Sequence, residues 1–340
     1  MHRVTAQDVA EAAGVSLATV DRVLNNRKGV RQSTIERVNA AMERLNFVRD
    51  QAAADLARSR SYKFTFFVPT GRNAFLSIVE DEIKRVRRSP LAARTDINLR
   101  VVPPFEPQPL VEAIEEMGDA VGDGVALVAS ESQIVRDAIS RLRGRGVQVV
   151  TLISDVPGSQ RQHYVGIDNA AAGRVAASLL KRFIHAPGGD IAVVAGSGTL
   201  RDHVERRLGF EQVMRTECPH LNVLPWIEGE DDAAVVERDL SAMLAENDNI
   251  VGVYSLGGGN RGVIAALHEA HRPIRAITHE LTEHTRAALV SGVLDAVLSQ
   301  DPAHEVRSAI RVLRAFADNS NIDGSQERIR IEIYVRDNLP

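Results

Sequence analysis

Apolar side chains recur at helical spacing through residues 4–48, which predicts a group of short helices. Thr5 is placed to cap the first helix and Gly14 to end it, because threonine accepts a first-turn hydrogen bond and glycine adopts the left-handed conformation. We expect a second helix over Leu17–Asn25 and a third from about Gln32 to Leu45. A helix, a glycine-centred turn and another helix form the helix-turn-helix pattern. This end of the chain is therefore expected to be a small all-α headpiece.

The pattern changes from Tyr62 onward, where short apolar runs alternate with longer amphipathic stretches. Such repeated strand–helix units predict parallel sheets with helices on both faces, and continuously apolar strands fit burial on both sides. About 280 residues exceed one such sheet, so we expect an α/β body of two doubly wound parallel-sheet lobes. The predicted strands are Phe64–Val68, Ile97–Val102, Gly124–Val128, Val147–Leu152, Ile191–Val194, Val223–Trp226, Gly252–Tyr254, Ile274–Thr278 and Ala296–Leu298.

Residues 49–61, between these two parts, are alanine-rich and polar, with Leu56 as the one large apolar side chain. A short segment of this kind is marginal as an isolated helix. It is either a linker or a short helix that forms only in the context of other structure.

Charge and composition narrow the class of protein. The single cysteine, Cys218, excludes a disulfide framework and a thiolate metal cluster, which indicates a reducing compartment. The N-terminal residues lack the apolar core of a signal peptide, so we expect a cytoplasmic protein with no membrane partner. Residues 1–60 carry 10 Lys and Arg against 7 Asp and Glu, or +3, while the rest carry 31 against 38, or −7. A basic head on an acidic body is expected if only the head meets a polyanion.

Polar side chains follow one predicted strand after another in the body, where open parallel sheets bind their ligands. Each of them alone fits a helix cap or a solvated loop, but their repetition at the same end of successive strands favours a binding site. Carboxylates, amides, histidine and arginine suit a ligand dense in hydroxyl groups. The candidate ligand-binding residues are Asn73, Phe75, Asp155, Asp168, Arg201, His203, Asn260, Glu280 and Gln300. Asn169, Asp202 and His279 lie at the same strand ends.

The catalytic and cofactor motifs in the chain are weak. Residues 257–262 match G-x-G-x-x-G between a strand and a helix, with Glu280 about twenty residues downstream, as in nucleotide-binding turns. The motif lies late in the chain, which favours a tight turn near some ligand instead. Ser197 lies between two glycines but has no evident base, and zinc-type spacings are absent from the sequence. We expect no catalytic residue, no metal site and no cofactor.

Several segments resemble a known family. The segments VTAQDVAEAAGVS at 4–16, ATVDRVLN at 18–25, VRQST at 30–34, VNAAMERLNF at 38–47 and ADLA at 54–57 closely resemble the headpiece and hinge of the lac repressor family. The segments YVGIDNAAAGR at 164–174 and VERRLGF at 204–210 resemble the body of that family, which is similar to periplasmic sugar-binding proteins of type I.

The resemblance implies that the second helix lies in the major groove of DNA. Leu17, Ala18 and Arg22 would face base edges, where an arginine can hold guanine O6 and N7 together. Leu56 would wedge into a central minor-groove step and kink the duplex. The remaining implied DNA contacts, mainly to phosphates, are Thr5, Ser16, Thr19, Asn25 and Thr34. A homodimer would read a near-palindrome.

The sequence departs from the family at three places. Asp21 stands where a small hydroxyl residue usually precedes the recognition arginine, so it either orients Arg22 or weakens DNA binding. The proline near the start of the hinge is absent. Val204 replaces an arginine that many sugar binders place two residues before Arg206, and Arg201 or His203 would substitute for it.

The resemblance implies a repressor-type transcription regulator whose DNA affinity depends on a small effector. With Asp155, Asp168 and Glu280 as ionised carboxylates and Arg201 as the strong cation, we expect a neutral sugar, polyol or cyclitol. The alternatives are a periplasmic sugar-binding protein of a transporter and a nucleotide-dependent enzyme.

The chain is expected to have three parts: a headpiece at 1–48, a hinge helix or linker at 49–61, and an effector-binding and dimerisation domain at 62–340. Within that domain we expect one lobe at about 62–162 and 299–320 and the other at about 163–298 and 325–340.

Overall fold

The computed structural model describes residues 4–24, 29–45, 47, 61–69, 71 and 73–340. Asn25, Leu56 and the other residues of the expected hinge up to 60 lie outside the described residues, so the predictions made for them stay predictions.

The headpiece consists of helices α1 (Ala6–Ala13), α2 (Leu17–Leu24) and α3 (Gln32–Arg44). Thr5 and Asp8 form a capping box at the start of α1, and Gly14 ends this helix with φ of 63°. Val9, Val20 and Val38 are fully buried, one from each helix, and form the centre of a small core. The helix-turn-helix unit predicted from the apolar spacing is present.

The first lobe of the body is built on a five-stranded sheet in the order β2-β1-β3-β4-β5, with all neighbours parallel. Phe66 and Phe67 lie on opposite faces of β1 and both are fully buried, which confirms that this sheet is covered on both sides. Its elements are β1 (Tyr62–Pro69), α4 (Ala74–Arg87), β2 (Thr95–Val102), α5 (Pro107–Met117), β3 (Gly124–Leu127), α6 (Gln133–Gly144), β4 (Gln148–Leu152) and β5 (His163–Val165).

The second lobe is built on a sheet in the order β12-β11-β10-β9-β6-β7, in which β8 also pairs with β6. All the pairs are parallel except β11 with β12, which is antiparallel. Its elements are α7 (Asn169–Phe183), β6 (Gly189–Ala195), α8 (Arg201–Glu217), β7 (Leu221–Val223), β8 (Ile227–Glu228), α9 (Ala233–Glu246), β9 (Ile250–Ser255), α10 (Asn260–Glu269), β10 (Arg275–His279), α11 (Glu283–Ser291), β11 (Ala296–Ser299) and β12 (Glu332–Tyr334).

The chain passes between the two sheets three times. Helix α12 (Pro302–Ala317) follows β11 of the second sheet but packs against β4, β3 and β5 of the first. The chain then returns to the second sheet at β12. The first crossing comes after Val165, slightly beyond the position expected near Gln162, because β5 adds an edge strand beside β4.

The strand predicted over Val223–Trp226 was wrong in its extent. β7 ends at Val223 and β8 begins at Ile227, so Trp226 lies between two short strands. The Arg207 guanidinium stacks on the Trp226 ring at 4.5 Å from its centroid. The aromatic side chain therefore packs against a cation and is not part of a strand. The three-residue strands β5 and β12 were not predicted, since so few residues give no recognisable alternation. Among the described residues, the helices are too short or too polar to cross a membrane.

Candidate functional site

Helix α2 presents an exposed face on the headpiece. Leu17, Ala18 and Arg22 are exposed on this face, while Val20 points into the core. An exposed arginine can hold guanine, and an exposed apolar residue such as Leu17 can contact a thymine methyl group. Three of the residues expected to read DNA therefore share one accessible surface.

The hydroxyl residues expected near phosphates have local partners in the headpiece. Ser16 Oγ accepts from Thr19 N at 3.2 Å and lies 2.9 Å from Thr19 Oγ1 at the start of α2. Thr5 Oγ1 lies 2.8 Å from Asp8 Oδ2 in the capping box. Thr34 is half-buried in the first turn of α3, where its N–H donates to Arg31 O. Ser16, Thr5 and Thr34 therefore lie at helix starts, where backbone N–H groups are also available to a phosphate.

A cavity of about 700 Å³ lies between the two sheets of the body. Its lining comes from the ends of strands and the first turns of helices in both lobes, as expected for ligand sites in open parallel sheets. Six of the nine candidate residues line it, namely Asn73, Phe75, His203, Asn260, Glu280 and Gln300.

Asp155, Asp168 and Arg201 lie outside this lining. Asp155 is engaged by Arg161, whose Nε donates to Asp155 Oδ1 at 2.6 Å, and by the Thr151 hydroxyl at 2.7 Å. Asp168 caps helix α7 by accepting from Ala171 N at 2.8 Å, and its side chain is largely exposed. Asp155 and Asp168 thus have structural partners that account for them without a ligand.

The phase of helix α8 explains why Arg201 does not reach the cavity. This helix begins at Arg201, so residues that the sequence analysis treated as a loop follow helical spacing. Arg201 is instead paired outside the lining: its Nε donates to Glu205 Oε1 at 2.7 Å, one turn later on the same face, and its Nη1 lies 3.7 Å from Glu131 Oε2 of the first lobe. Asp202, His203 and Arg206 turn inward instead and line the cavity.

Arg206 is the buried cation of the cavity, a position that the sequence analysis assigned to Arg201. Its side chain is 2% exposed. Nε donates to Asn169 Oδ1 at 2.9 Å and Nη1 donates to Leu256 O at 2.6 Å. Nη2 makes no hydrogen bond to any described residue and lies 3.7 Å from Glu280 Oε1 and 3.9 Å from Asp202 Oδ2. The guanidinium is therefore fixed by the protein on two sides and open to a ligand on the third.

The close packing of α7 on α8 brings Arg206 to Asn169. A Cβ atom at Gly173 would overlap the carbonyl oxygen of Arg206, and one at Gly209 would overlap the carbonyl oxygen of Ala170. Glycine at both positions lets the two helix backbones touch. Asn169, in the first turn of α7, then accepts from Arg206 and donates to Tyr164 Oη at 3.0 Å.

Other polar atoms of the lining also lack partners. Asp202 Oδ1, Gln300 Oε1 and Ser154 Oγ are buried without a hydrogen bond to a described residue. Buried polar groups are ordinarily hydrogen-bonded, so unpaired ones around a cavity indicate where ligand atoms bind. Two acceptors, a hydroxyl and the Arg206 donor match a ligand that carries several hydroxyl groups, since a hydroxyl both donates and accepts.

Glu280 differs from the ionised carboxylate that the sequence analysis assumed. Burial raises the pKa of Glu280 to about 7, while the charge of Arg206 and the hydrogen bonds from Gln300 act in the opposite direction. Gln300 Nε2 donates to Glu280 Oε1 at 2.8 Å. Near neutral pH this carboxyl group therefore exists in both forms, and its protonated form can donate a hydrogen bond as well as accept one.

The Gly-rich segment 257–262 forms the turn between β9 and α10, and its glycines touch neighbouring side chains of the site. A Cβ atom at Gly257 would overlap the His203 ring, and one at Gly258 would lie 2.5 Å from Asp231 Cγ. The segment therefore makes room for His203 and Asp231 beside the cavity. Asp231 was not predicted from the sequence, because it lies in a short turn with no periodic signal.

Comparison with known proteins agrees with this architecture. Residues 64–321 match the periplasmic binding protein domain family, and residues 5–50 match the bacterial regulatory proteins of the lacI family. The chain belongs to the periplasmic binding protein domain family over its body. Its headpiece is that of the lacI family of regulators.

The chain is similar to several transcriptional regulators. It is 27% identical over 186 residues to the HTH-type transcriptional regulator IdnR of Escherichia coli (strain K12), covering 54% of each protein. It is 26% identical over 249 residues to the HTH-type transcriptional repressor PurR of Vibrio atlanticus (strain LGP32), covering 73% of this chain and 72% of PurR. The aligned part thus spans about half of the length of IdnR, and these relatives are regulators and not enzymes.

Solved structures show the same fold for the body. The glucose-galactose binding protein GanP from Geobacillus stearothermophilus has a TM-score of 0.74 at 19% identity, covering 83% of this chain and 99% of GanP. A solute binding protein from Agrobacterium vitis, bound with alpha-D-tagatopyranose, has a TM-score of 0.72 at 18% identity, covering 82% and 96%. At this identity the likeness shows the fold alone.

Proposed function

We propose that this protein is a sequence-specific DNA-binding transcription regulator, and specifically a repressor, whose operator affinity is controlled by a small neutral sugar, polyol or cyclitol. The observation that carries the proposal is the combination in one chain of an exposed α2 face with a cavity lined by unpaired buried polar atoms. The cavity alone would fit a solute-binding protein equally well, and the headpiece is the part that favours a regulator.

The DNA-binding half of the proposal uses α2 as the recognition helix. Arg22 would contact a guanine in the major groove, with Leu17 and Ala18 making apolar contacts such as those to thymine methyl groups. Ser16, Thr19 and Thr34 would hold phosphates, which fix the position of the protein but carry no base information. Two headpieces of a homodimer would bind the two halves of a near-palindromic site in the cytoplasm.

The effector half of the proposal uses the cavity between the lobes. Arg206 Nη2 would donate to a ligand oxygen, and Asp202 Oδ1 and Gln300 Oε1 would accept from ligand hydroxyl groups. The Phe75 ring, which lines the cavity from α4, would cover the apolar face of a sugar or cyclitol ring. Binding contacts from both lobes favour one arrangement of the lobes over another.

Regulation follows from this preference by linkage. An effector that binds one arrangement of the lobes more tightly shifts the population toward it. If that arrangement also changes how a dimer presents its two hinge segments, effector binding and DNA binding change each other's free energy by the same amount. The residues from 49 to 60, including Leu56, would carry this change to the headpieces.

The test is a titration of the full chain with DNA from the region upstream of its own gene. Fluorescence anisotropy should show binding that is lost with excess specific competitor and altered by one member of a panel of neutral sugars, polyols and cyclitols. Binding to every duplex with equal affinity, or no binding to duplex DNA at all, would contradict the proposal. A panel member that binds the protein without changing DNA affinity would contradict its regulatory half.

A further inference from the structure

Asp231 and Asn73 join the two lobes beside the cavity. Asn73, at the start of α4 in the first lobe, donates through Nδ2 to Asp231 Oδ2 in the second lobe at 2.7 Å. Asp231 is 5% exposed, and both residues line the cavity. The contact therefore connects the walls of the binding site directly, side chain to side chain.

The backbone around Asp231 is arranged to present its carboxylate. Glu230 and Asp231 have φ of 47° and 55°, two consecutive left-handed conformations at residues other than glycine. Such backbone strain persists only where the surrounding structure enforces it, and it concentrates at functional sites. Glu230 N donates to Gly196 O at 2.9 Å, which ties this turn to the end of β6.

Two glycine turns hold the carboxylate in place. Gly258 N donates to Asp231 Oδ1 at 2.8 Å. A Cβ atom at Gly196 would lie 2.5 Å from Asp231 Oδ1, and one at Gly258 would lie 2.5 Å from Asp231 Cγ. Glycine at these two positions therefore leaves the space that the carboxylate occupies. Oδ1 is bound within its own lobe, and Oδ2 reaches across to the other.

Asn73 is held in a complementary way. Its Oδ1 caps α4 by accepting from Phe75 N at 2.9 Å and from Leu76 N at 3.3 Å. The cap fixes the orientation of the amide, so that Nδ2 points at Asp231. Rotation of the amide by half a turn would place Nδ2 against the N–H groups of the helix and lose the cap.

We propose that Asp231 and Asn73 form a polar latch between the lobes, so that Asp231 is a positioning residue that sets how readily the effector cavity opens. Two further contacts between described residues join the lobes near the latch. Glu131 N donates to Thr199 O at 3.1 Å, and Arg201 Nη1 lies 3.7 Å from Glu131 Oε2. All three contacts break when the lobes separate. Exchange of the Glu131 amide with solvent therefore reports on opening at a residue outside the latch itself.

The donor and acceptor roles of the latch allow a reciprocal exchange. Asn73→Asp retains a side-chain oxygen for the helix cap but places a second carboxylate against Asp231. Asp231→Asn still offers Oδ1 to Gly258 N, but it places a second NH2 donor against the Nδ2 donor of Asn73. In the double variant the donor and the acceptor are interchanged and both neighbouring contacts are kept, so the latch is restored in reverse.

Hydrogen–deuterium exchange of the full chain, without DNA or effector, tests the latch, so its failure is distinct from failure of the proposed function. Each single variant should speed exchange in the segment that contains Glu131 about tenfold, as expected for loss of a hydrogen bond to a charged group. The double variant should return to within about threefold of the starting rate. The matched control is Asp168→Asn, the same chemical change at an exposed helix cap, which should leave this segment unchanged.

The latch proposal is contradicted if the segment that contains Glu131 exchanges as slowly in the single variants as in the parent protein. It is also contradicted if this segment exchanges at least as fast in the double variant as in the faster single variant. Exchange in β1 and β9, which are buried, verifies that each variant is folded. If Asn73→Asp unfolds, Asn73→Ser keeps a capping oxygen without the amide donor and should speed exchange at Glu131 by the same amount. Unchanged exchange in Asn73→Ser would equally overturn the latch.

Discussion

Arg206 Nε donates a 2.9 Å hydrogen bond to Asn169 Oδ1 across the contact between α8 and α7. Both residues are buried, and Arg206 lines the cavity from α8. The bond orients the guanidinium so that Nη2 remains available beside Asp202 and Glu280. The chemistry of the cavity therefore depends on a residue, Asn169, that need not touch the ligand.

We expect Asn169→Ala to destabilise the protein and to weaken effector binding. The substitution leaves Arg206 Nε buried without an acceptor, which costs about 1–3 kcal/mol of unfolding free energy. The measurement is urea denaturation followed by circular dichroism. Asn222→Ala is the control, because Asn222 makes a similar bond to Asp190 at an exposed position and should change stability by less than about 0.5 kcal/mol. Equal losses for the two variants would contradict the role of Asn169.

The raised pKa of Glu280 predicts that the stability of the protein depends on pH. Burial raises the pKa of the Glu280 carboxyl group from 4.5 to about 7, so the folded protein holds this proton more tightly than the unfolded chain does. The corresponding stability is fully present below about pH 4.5 and is lost as the pH rises through about 7. Glu280→Gln cannot ionise, so between about pH 5 and about pH 8 it should lose about 2–3 kcal/mol less stability than the parent protein.

Chemical denaturation at the two pH values measures this difference. Glu237→Gln, at another glutamate of the cavity lining, should follow the parent protein at both. If Glu280→Gln and the parent protein lose the same stability between the two pH values, Glu280 is ionised throughout the range and the interpretation of its burial is wrong.

Arg22 predicts a change in base specificity. If Arg22 contacts a guanine, Arg22→Ala should weaken binding to the preferred duplex by about 1–3 kcal/mol and relax the preference at one base position. Arg37→Ala removes the same charge from an exposed position on α3 and serves as the control. Binding to a set of single-base variants of the operator separates the two effects. A uniform loss for all sequences would make Arg22 a phosphate contact.

Leu56 predicts bending of the DNA, on the basis of the sequence resemblance alone. Leu56→Ala should weaken specific binding and reduce the bend measured by circular-permutation electrophoresis, because the apolar wedge is lost. Effector affinity should not change, since the cavity lies in the body. An unchanged bend would contradict the hinge assignment.

The helices and most strands of the body were predictable because they are long enough to show a clear period. The cavity residues at strand ends were predictable for the same reason, since a strand that is located also locates the loop after it. Phe75, Asn260, Glu280 and Gln300 were found in this way, and all four line the cavity. What the pattern supplied was a position along the chain, not a direction for each side chain.

Side-chain direction is where the sequence was insufficient. Arg201 and Arg206 lie in the same helix, and the exact start of α8 decides which of them faces the cavity. Asp155 does not line the cavity and is paired with Arg161 instead. The two residues are close in sequence, but their pairing depends on how the loop between them folds. Asp231 was missed because its importance comes from Asn73, far away in the chain and in the other lobe.

The charge of the cavity predicts the charge of the effector. The carboxylates of Asp202 and Asp231 are both buried in the lining, and Arg206 is a buried cation whose Nη2 lies 3.9 Å from Asp202 Oδ2. An added phosphate would meet these carboxylates in a partly desolvated site, where repulsion between like charges is strong. The starts of α8 and α10 also line the cavity without a side-chain cap, but a phosphate site gathers such helix starts, arginines or lysines without competing acids. We therefore expect calorimetric titration of the full chain with matched pairs of neutral and phosphorylated sugars or cyclitols to show binding of the neutral member alone.

Asp202→Asn should weaken that binding by about tenfold, because Asp202 Oδ1 is an unpaired acceptor in the parent protein. Asp168→Asn, which lies outside the lining, should leave the binding unchanged. Binding of only the phosphorylated member, or a ligand whose affinity is the same in both variants, would show that these carboxylates do not define the site.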